Sequence, residues 1–441
     1  MAGGTWTTQN KVRPGVYINI RSEAQPIGAL GERGVATIAL PLSWGPSKQV
    51  VTIEAGQNVF DVLGYDITAP QLLLVREVLK RARTLLLYRL NEGDKATANI
   101  GSENVMTVTA KYSGVRGNDI SIVVQANVDN PNLFEVQTLV DGREVDLQTV
   151  SSIEELEENA WVTFSGTGAP EPTAGVNLAG GTDGSVTNAD YMAYLEAIEL
   201  HDFNTMAAPV DDETLKSVFV AFVKRMREDE GKKIQVVLPD YATADYEGVI
   251  SVKNGVVLAD GTVLNNVQAT AWVAGATAGA NVNQSLTYAA YDGAVDVDTR
   301  YTHTQIVQAL QNGEFLFVPS DGRAIVEQDI NTFTSFTPEK RQHFSKNRVI
   351  RVLDSLGNDL KRIFEQFYIG KVNNDDDGRN LFKNEIINYL NAYQNIGAIQ
   401  NFDPQADIQV SQGNDVDSVY VELYVQPIDS AEKIYMNIIV R

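Results

Sequence analysis

Three histidines, His201, His303 and His343, are the only side chains of this 441-residue chain whose unperturbed pKa lies near neutrality. None stands in an H-x-x-x-H or H-x-E context, so the sequence offers neither a two-histidine metal face nor a histidine–carboxylate acid–base pair. Cysteine is absent, which excludes disulfides, thiolate metal sites and cysteine nucleophiles in one step. There is no G-x-S-x-G elbow and no Walker loop. The glycines between 175 and 184 lack the G-x-G-x-x-G spacing and do not join a strand to a helix, so they make a poor phosphate cradle. The nearest approach to a ligand loop is Asn373-Asn374-Asp375-Asp376-Asp377-Gly378. An EF-hand loop needs alternating oxygen ligands, a glycine sixth and a bidentate Glu twelfth. Counted from Asn373, Gly378 is sixth, but the twelfth residue is Asn384 and Glu385 arrives one late. We read an exposed acidic turn between two helices, and expect no catalytic residue, no metal, no cofactor and no enzyme.

Composition narrows the partners. Hydrophobic residues make up 44% and charged residues 21%, as in a folded protein rather than a disordered one. Fifty-seven acidic against 35 basic residues give a formal charge of −22, which repels phosphate backbones and argues against nucleic acid. No apolar run reaches the roughly 20 residues needed to cross a bilayer, so no membrane partner is expected. The start, Met1-Ala2-Gly3-Gly4-Thr5-Trp6, lacks the charged-then-apolar pattern of a secretion leader. The expectation is a protein that folds in the cytoplasm of the cell that makes it.

Without an active site to position, the elements must serve some other purpose, and their order shows which. Residues 35–40 and 84–90 read as apolar strands flanking a helix within 70–83, the pattern of an α/β core. From 94 to about 185 short alternating runs (105–110, 120–124, 134–140, 160–164) are separated by Gly117-Asn118-Asp119, Asp129-Asn130-Pro131 and Asp141-Gly142. Only 152–158 looks helical there, with Ser152 as its cap. The α/β pattern then returns with helices at 188–200 and 211–228, strands at 204–210 and 233–238, and a hairpin over 251–259 turning on Asn254-Gly255. A helix at 266–279 is built from small residues, as close packing demands, and another spans 304–312. Helices at 349–368 and 380–395 precede an alternating strand at 418–426. The fold class is therefore a multidomain α/β protein. Its α/β core (22–93 and 186–345) carries an inserted β-rich domain (94–185) and is followed by a C-terminal α+β domain (346–441).

Both ends carry strands without an evident sheet. After a polar arm ending in Pro14, Val16, Ile18 and Ile20 share one face of a strand over 16–21, for which an ordinary first strand paired inside its own domain is the alternative. Beyond Pro427, residues 433–441 form a closing strand with Ile434, Met436, Ile438 and Val440 on one face. A lone strand leaves its backbone donors and acceptors unpaired, and a neighbour's sheet edge can satisfy them. Contacts of that head-to-tail kind build rings or open helices rather than closed dimers.

Several stretches resemble contractile tail sheath proteins. Ala110-Lys111-Tyr112-Ser113-Gly114-Val115-Arg116-Gly117-Asn118-Asp119-Ile120 is similar to the family's "AKYxGxxGN" segment. Phe203-Asn204-Thr205-Met206-Ala207-Ala208-Pro209, Ala271-Trp272-Val273-Ala274-Gly275 and Phe367-Tyr368-Ile369-Gly370-Lys371-Val372 resemble further family stretches, as does the ending from Val425-Gln426-Pro427 to Glu432-Lys433-Ile434-Tyr435-Met436. The matches occur in order along nearly the whole chain. The resemblance implies a homo-oligomer of stacked hexameric rings forming a helical sheath around a tail tube, with baseplate and tail terminator proteins as further partners. It implies that the end strands exchange between subunits, and that contraction drives the tube through a target cell envelope. It places the protein in a virion or phage-tail-like particle assembled in the host bacterial cytoplasm. Phage, defective prophage and bacteriocin all remain open.

Charge is uneven. Between 338 and 371 stand eight basic residues, Lys340, Arg341, Lys346, Arg348, Arg351, Lys361, Arg362 and Lys371, against four acidic ones; from 372 to 441 eleven acidic face four basic. Lys361 and Arg362 are the candidate contact with an acidic tube, and a solvated helix face is the alternative. Two other functions stay open: a β-rich surface binding module, and an α/β enzyme with an unrecognised site.

Overall fold

A strand covered on both faces should be apolar throughout, and Val35–Leu40 is buried at every position from Ala36 onward. In the computed structural model, which describes residues 2–4, 15–17 and 33–440, it is the fifth of seven strands. Their order is Glu314–Phe315, Val249–Val252, Gln235–Pro239, Thr205–Ala207, Val35–Leu40, Thr84–Arg89 and Val50–Glu54. Neighbours run parallel except for Val50–Glu54, which closes one edge antiparallel to Thr84–Arg89. Side chains alternate between two cores. Ile38, Leu85, Leu87 and Val237 join Trp272 and Tyr291 on one side; Ala39, Leu86, Tyr88 and Leu238 join Tyr194 and Phe219 on the other.

The small-residue helix Asn266–Gly279 is buried from Ala269 to Ala278, all round its circumference. Small side chains allow this, because it lies against the helix Leu73–Leu79 at backbone distance. A Cβ on Gly275 would stand 2.2 Å from the Val78 carbonyl oxygen, and one on Gly279 2.0 Å from that of Arg81. Gly275→Ala is therefore expected to cost about 3 kcal/mol in guanidinium unfolding, since neither backbone can yield cheaply. An unchanged midpoint would show that the helices separate freely. Opposite, the helix Glu213–Glu228 starts on Asp212, whose carboxylate accepts the Leu215 N–H at 2.8 Å. Near its end Arg227 makes a two-pronged ion pair with Asp354, at 2.6 and 2.8 Å, with both side chains buried.

Residues 97–177 contribute a three-stranded sheet (Val162–Ser165, Met106–Ala110, Thr97–Ile100) and a four-stranded one (Arg143–Val150, Phe134–Val140, Ile120–Ala126, Thr173–Asn177). Val108 and Val162 from the first share one core with Ile122, Val124 and Val136 from the second, so the two sheets form a sandwich. Trp44 stacks on Trp161 at 5.0 Å within that core. The helix expected over 152–158 is a single 3-10 turn, Ile153–Glu155, and Ser152 makes no side-chain cap. The Glu155 carboxylate instead accepts from Ser151, and Glu157 N–H donates to Gln148 Oε1, which pulls the chain out of helical geometry. At the loop 102–104 three successive backbone N–H groups converge on Glu171 and hold its carboxyl down at about 2.

The expected hairpin at Asn254-Gly255 is not one. Val249–Val252 belongs to the seven-stranded sheet, whereas Val256–Leu258 pairs with Val263–Leu264 and Ala294–Val297 in a separate small sheet. The buried Asn254 amide accepts from Phe317 N–H and donates to Phe317 C=O. It thereby mimics a strand neighbour while the chain changes sheets. At the N-terminus, Gly15–Tyr17 pairs in parallel with Ala2–Gly4, placing Val16 opposite Gly3. Of the strand expected over 16–21, Val16 and Tyr17 are described; Ile18 and Ile20 lie outside the described residues.

The described residues divide into two units, one drawn from Met1–Gly31 and Asp359–Gln426, the other from Glu32–Asn358 and Pro427–Arg441. The boundary falls inside the helix Asn347–Phe367. In the first unit, Phe364 and Tyr368 pack on Phe382 of the helix Asp376–Asn395, at 5.1 and 4.7 Å. The hairpin Ile408–Gln412 with Val419–Leu423 completes it.

Candidate functional site

The three histidines lie on separate elements. His201 follows the helix Asn188–Glu199, His303 opens the helix His303–Gln311, and His343 sits in the turn Gln342–Ser345; all three are exposed. Among the described residues no group of three or more His, Cys, Asp or Glu side chains is placed to hold a metal ion. The acidic turn has a structural use: Asp375 is the N-cap of the helix Asp376–Asn395 and accepts the Gly378 N–H at 2.8 Å. Asp376 and Asp377 then lie in the first turn, where the helix dipole favours negative charge.

The unusual feature is the C-terminal arm. Residues 433–440 form no helix and pair with no strand among the described residues. Yet Ile434, Tyr435, Met436, Ile438, Ile439 and Val440 are between 77% and 91% exposed. Soluble proteins seldom leave so many large apolar side chains together in water unless the segment is a contact surface. If the arm is extended, Ile434, Met436, Ile438 and Val440 lie on one face and Tyr435 and Ile439 on the other, interrupted only by Asn437. A strand apolar on both faces suits a position covered from both sides.

The arm starts from a fixed point. Glu432 Oε1 accepts from Thr287 Oγ1 at 2.8 Å, and Oε2 accepts from Gln328 Nε2 at 2.6 Å and from the Lys346 ammonium. Its side chain is only 10% exposed and that of Lys346 16%. Burial alone would raise the Glu432 pKa, but the bonds from Lys346, Gln328 and Thr287 outweigh it and hold the carboxyl below its ordinary value. The knot continues inward. Thr287 Oγ1 accepts the Asp329 N–H, and the Asp329 carboxylate accepts from Asn347 Nδ2, Leu286 N–H and the buried Arg351 guanidinium. Glu432 and Lys433 also line a cleft of about 590 Å³ whose apolar wall includes Leu310, Phe333 and Phe336.

None of the knot was visible as a site in the sequence. Glu432 lies 145 residues from Thr287, 104 from Gln328 and 86 from Lys346. The only local signal is one carboxylate where polar residues give way to an apolar run. The basic island is largely engaged within the chain: Lys340 pairs with Glu247, Lys346 with Glu432, Arg351 with Asp329 and Arg362 with Asp359. Lys361 and Arg362 are both partly buried.

Comparison with known proteins gives the arrangement its context. Four family models match in succession: the tail sheath protein Gp18 domain III N-terminal region over residues 33–90, the phage tail sheath protein beta-sandwich domain over 91–183, the phage tail sheath protein central domain over 184–332, and the phage tail sheath C-terminal domain over 339–441. The crystal structure of a sheath tail protein from Desulfitobacterium hafniense is 60% identical, with a TM-score of 0.86 over 96% of this chain and 99% of that one. The phage-like element PBSX protein XkdK of Bacillus subtilis is 43% identical over 99% of both chains. The contracted helical sheath of the anti-feeding prophage shares the fold at 15% identity, with a TM-score of 0.57 over 97% of this chain and 98% of that one. No helix among the described residues is long and apolar enough to cross a membrane. Matched along nearly its whole length by sheath models and by relatives of its own size, the chain belongs to the contractile phage tail sheath protein family.

Proposed function

We propose that this protein polymerises into a helical sheath of stacked hexameric rings around a tail tube, and that its contraction drives the tube through a target cell envelope. The observation that carries the reading is the exposed apolar arm at 433–440, which has side chains to bury and main-chain groups to pair but no strand among the described residues to meet them. Its partner is a neighbouring copy, and the strand residues are Ile434, Met436, Ile438 and Val440, with Val16, Ile18 and Ile20 making the corresponding link at the other end. The protein performs this work without catalysis; the energy resides in the assembled state. Assembly takes place in the host bacterial cytoplasm, with baseplate and tail terminator proteins at the sheath's two ends and neither nucleic acid nor membrane as a partner. Electron microscopy of the purified protein tests the reading. Striated tubes of sheath are expected, and a persistent monomer at high concentration would overturn it.

The tube contact is proposed at Lys361 and Arg362. Arg362 is 39% exposed while its guanidinium pairs with Asp359 at 3.3 Å, so it can meet a second carboxylate without leaving the first. Reversing both charges (Lys361→Glu with Arg362→Glu) is expected to give sheaths that no longer enclose tubes at physiological salt, because each contact becomes a repulsion. Tube-filled sheaths from the double variant would move the contact elsewhere.

A further inference from the structure

We propose that Glu432 is the mechanical anchor of the C-terminal arm: its bonds to Thr287, Gln328 and Lys346 pin the arm's root to the subunit body, so that tension on residues 433–440 is delivered to the core instead of peeling the chain backward from its end. The inference rests on the linking role proposed for the arm, but the anchor is a property of the single subunit and can be tested there.

Three observations support it. The contrast along the chain is abrupt: the Glu432 side chain is 10% exposed, and two residues later Ile434 is 81% exposed. The three partners come from separate segments, so no one loop movement frees the carboxylate. Thr287 follows Leu286, whose N–H is bonded to Asp329; Gln328 precedes Asp329 itself; and Lys346 precedes Asn347, which donates to the same carboxylate. All three therefore connect within one residue to the buried Asp329, which is 1% exposed and faces the fully buried Arg351. A pull on Glu432 is thus shared by the loop at 286–287, the segment at 328–329 and the first turn of the helix Asn347–Phe367. The bonds to the carboxylate are charge-assisted, and two of the three neighbours are neutral donors that cannot be lost by titration. A merely decorative surface ion pair would show none of this convergence and contribute little.

The chain contains no cysteine, so a single introduced thiol reports its own position. Ala431→Cys, beside the anchor, and Asn437→Cys, out on the arm, would each carry a nitroxide label on otherwise intact full-length subunits kept dilute enough to remain monomeric. The label at 431 is expected to be immobilised and that at 437 mobile. Adding Glu432→Ala should convert the 431 spectrum to the mobile form, raising the released fraction roughly tenfold or more as the charge-assisted bonds are lost, while leaving 437 unchanged. Lys346→Glu should do the same, and combining it with Glu432→Lys should restore part of the immobilised signal. Near-ultraviolet circular dichroism verifies that each variant is folded; should Glu432→Ala not fold, Gln328→Ala and Lys346→Ala supply the same comparison. An immobilised 431 label in folded variants lacking the carboxylate or its partners would overturn the anchor. If wild-type protein fails to form sheaths yet the 431 label is released by Glu432→Ala, the linking role falls and the anchor stands. Where both hold, sheaths of the Glu432→Ala variant should form but fragment under shear that leaves wild-type sheaths long.

Discussion

Deleting residues 433–441 is expected to yield a folded, soluble subunit that forms no sheath at any concentration at which the intact protein does. Residues 433–440 make no ladder with any strand among the described residues, so their loss leaves the seven-stranded sheet, the sandwich and the Glu432 bonds in place. Unfolding free energy should change by no more than about 1 kcal/mol, as for other exposed positions. Assembly should suffer far more. Six large apolar side chains, each contributing about 2 kcal/mol when buried, give each joint on the order of 10 kcal/mol before ordering costs, in addition to the main-chain bonds of strand addition. Sedimentation together with electron microscopy separates the outcomes. Normal sheaths from the truncated chain would mean that the joint lies elsewhere, and an unfolded truncation would mean that the arm is part of the subunit's own core.

The second large effect lies in the body of the subunit. Arg227→Ala is expected to destabilise it by about 3–5 kcal/mol, because the buried Asp354 carboxylate loses both guanidinium bonds and remains in a site that excludes water. The variant also frees Ile234 C=O, which now accepts from the same guanidinium. Replacing both partners by apolar residues, Arg227→Met with Asp354→Leu, should recover most of that loss, since no buried charge is left unpaired. Guanidinium unfolding of the four proteins in the cycle measures this directly. A single variant within 1 kcal/mol of wild type would show that water reaches the pair in solution.

How far the sequence could be read depends on the range of the forces involved. The helices read at 188–200, 211–228, 266–279 and 380–395 were legible because apolar spacing acts within a turn or two; the last begins earlier, at Asp376, where the residues read as an acidic turn form its first turn. The continuous apolar runs read as strands at 84–90 and 233–238 were legible for the same reason, and the strands are Thr84–Arg89 and Gln235–Pro239. Asn254-Gly255 misled because a local turn preference competes with a partner 63 residues away: the Asn254 side chain is held by the backbone of Phe317, which a local window does not contain. The stretch from Ser152 differs from the helix expected there because Glu155 accepts from the Ser151 N–H and Glu154 from the Gly168 N–H, fourteen residues on, instead of the turn being extended. At the candidate site, the apolar side chains of 434–440 could be read from the sequence, and the structure leaves them exposed. The root of the arm could not be read, since Glu432 acquires its meaning only from Thr287, Gln328 and Lys346, brought to it by the fold.

A rooted arm is also a ruler. The eight residues from Lys433 to Val440, which carry the apolar side chains, span at most about 29 Å when fully extended, and the anchor proposed at Glu432 fixes where that span begins. In the proposed joint, the distance from one subunit's Glu432 to the edge that receives residues 433–440 is therefore bounded from above. A sheath built this way can shorten and widen only by swinging each subunit about a leash of constant length. The permitted shapes form a family linked by rotation, and a lattice that exceeded the leash would tear at its joints before it stretched.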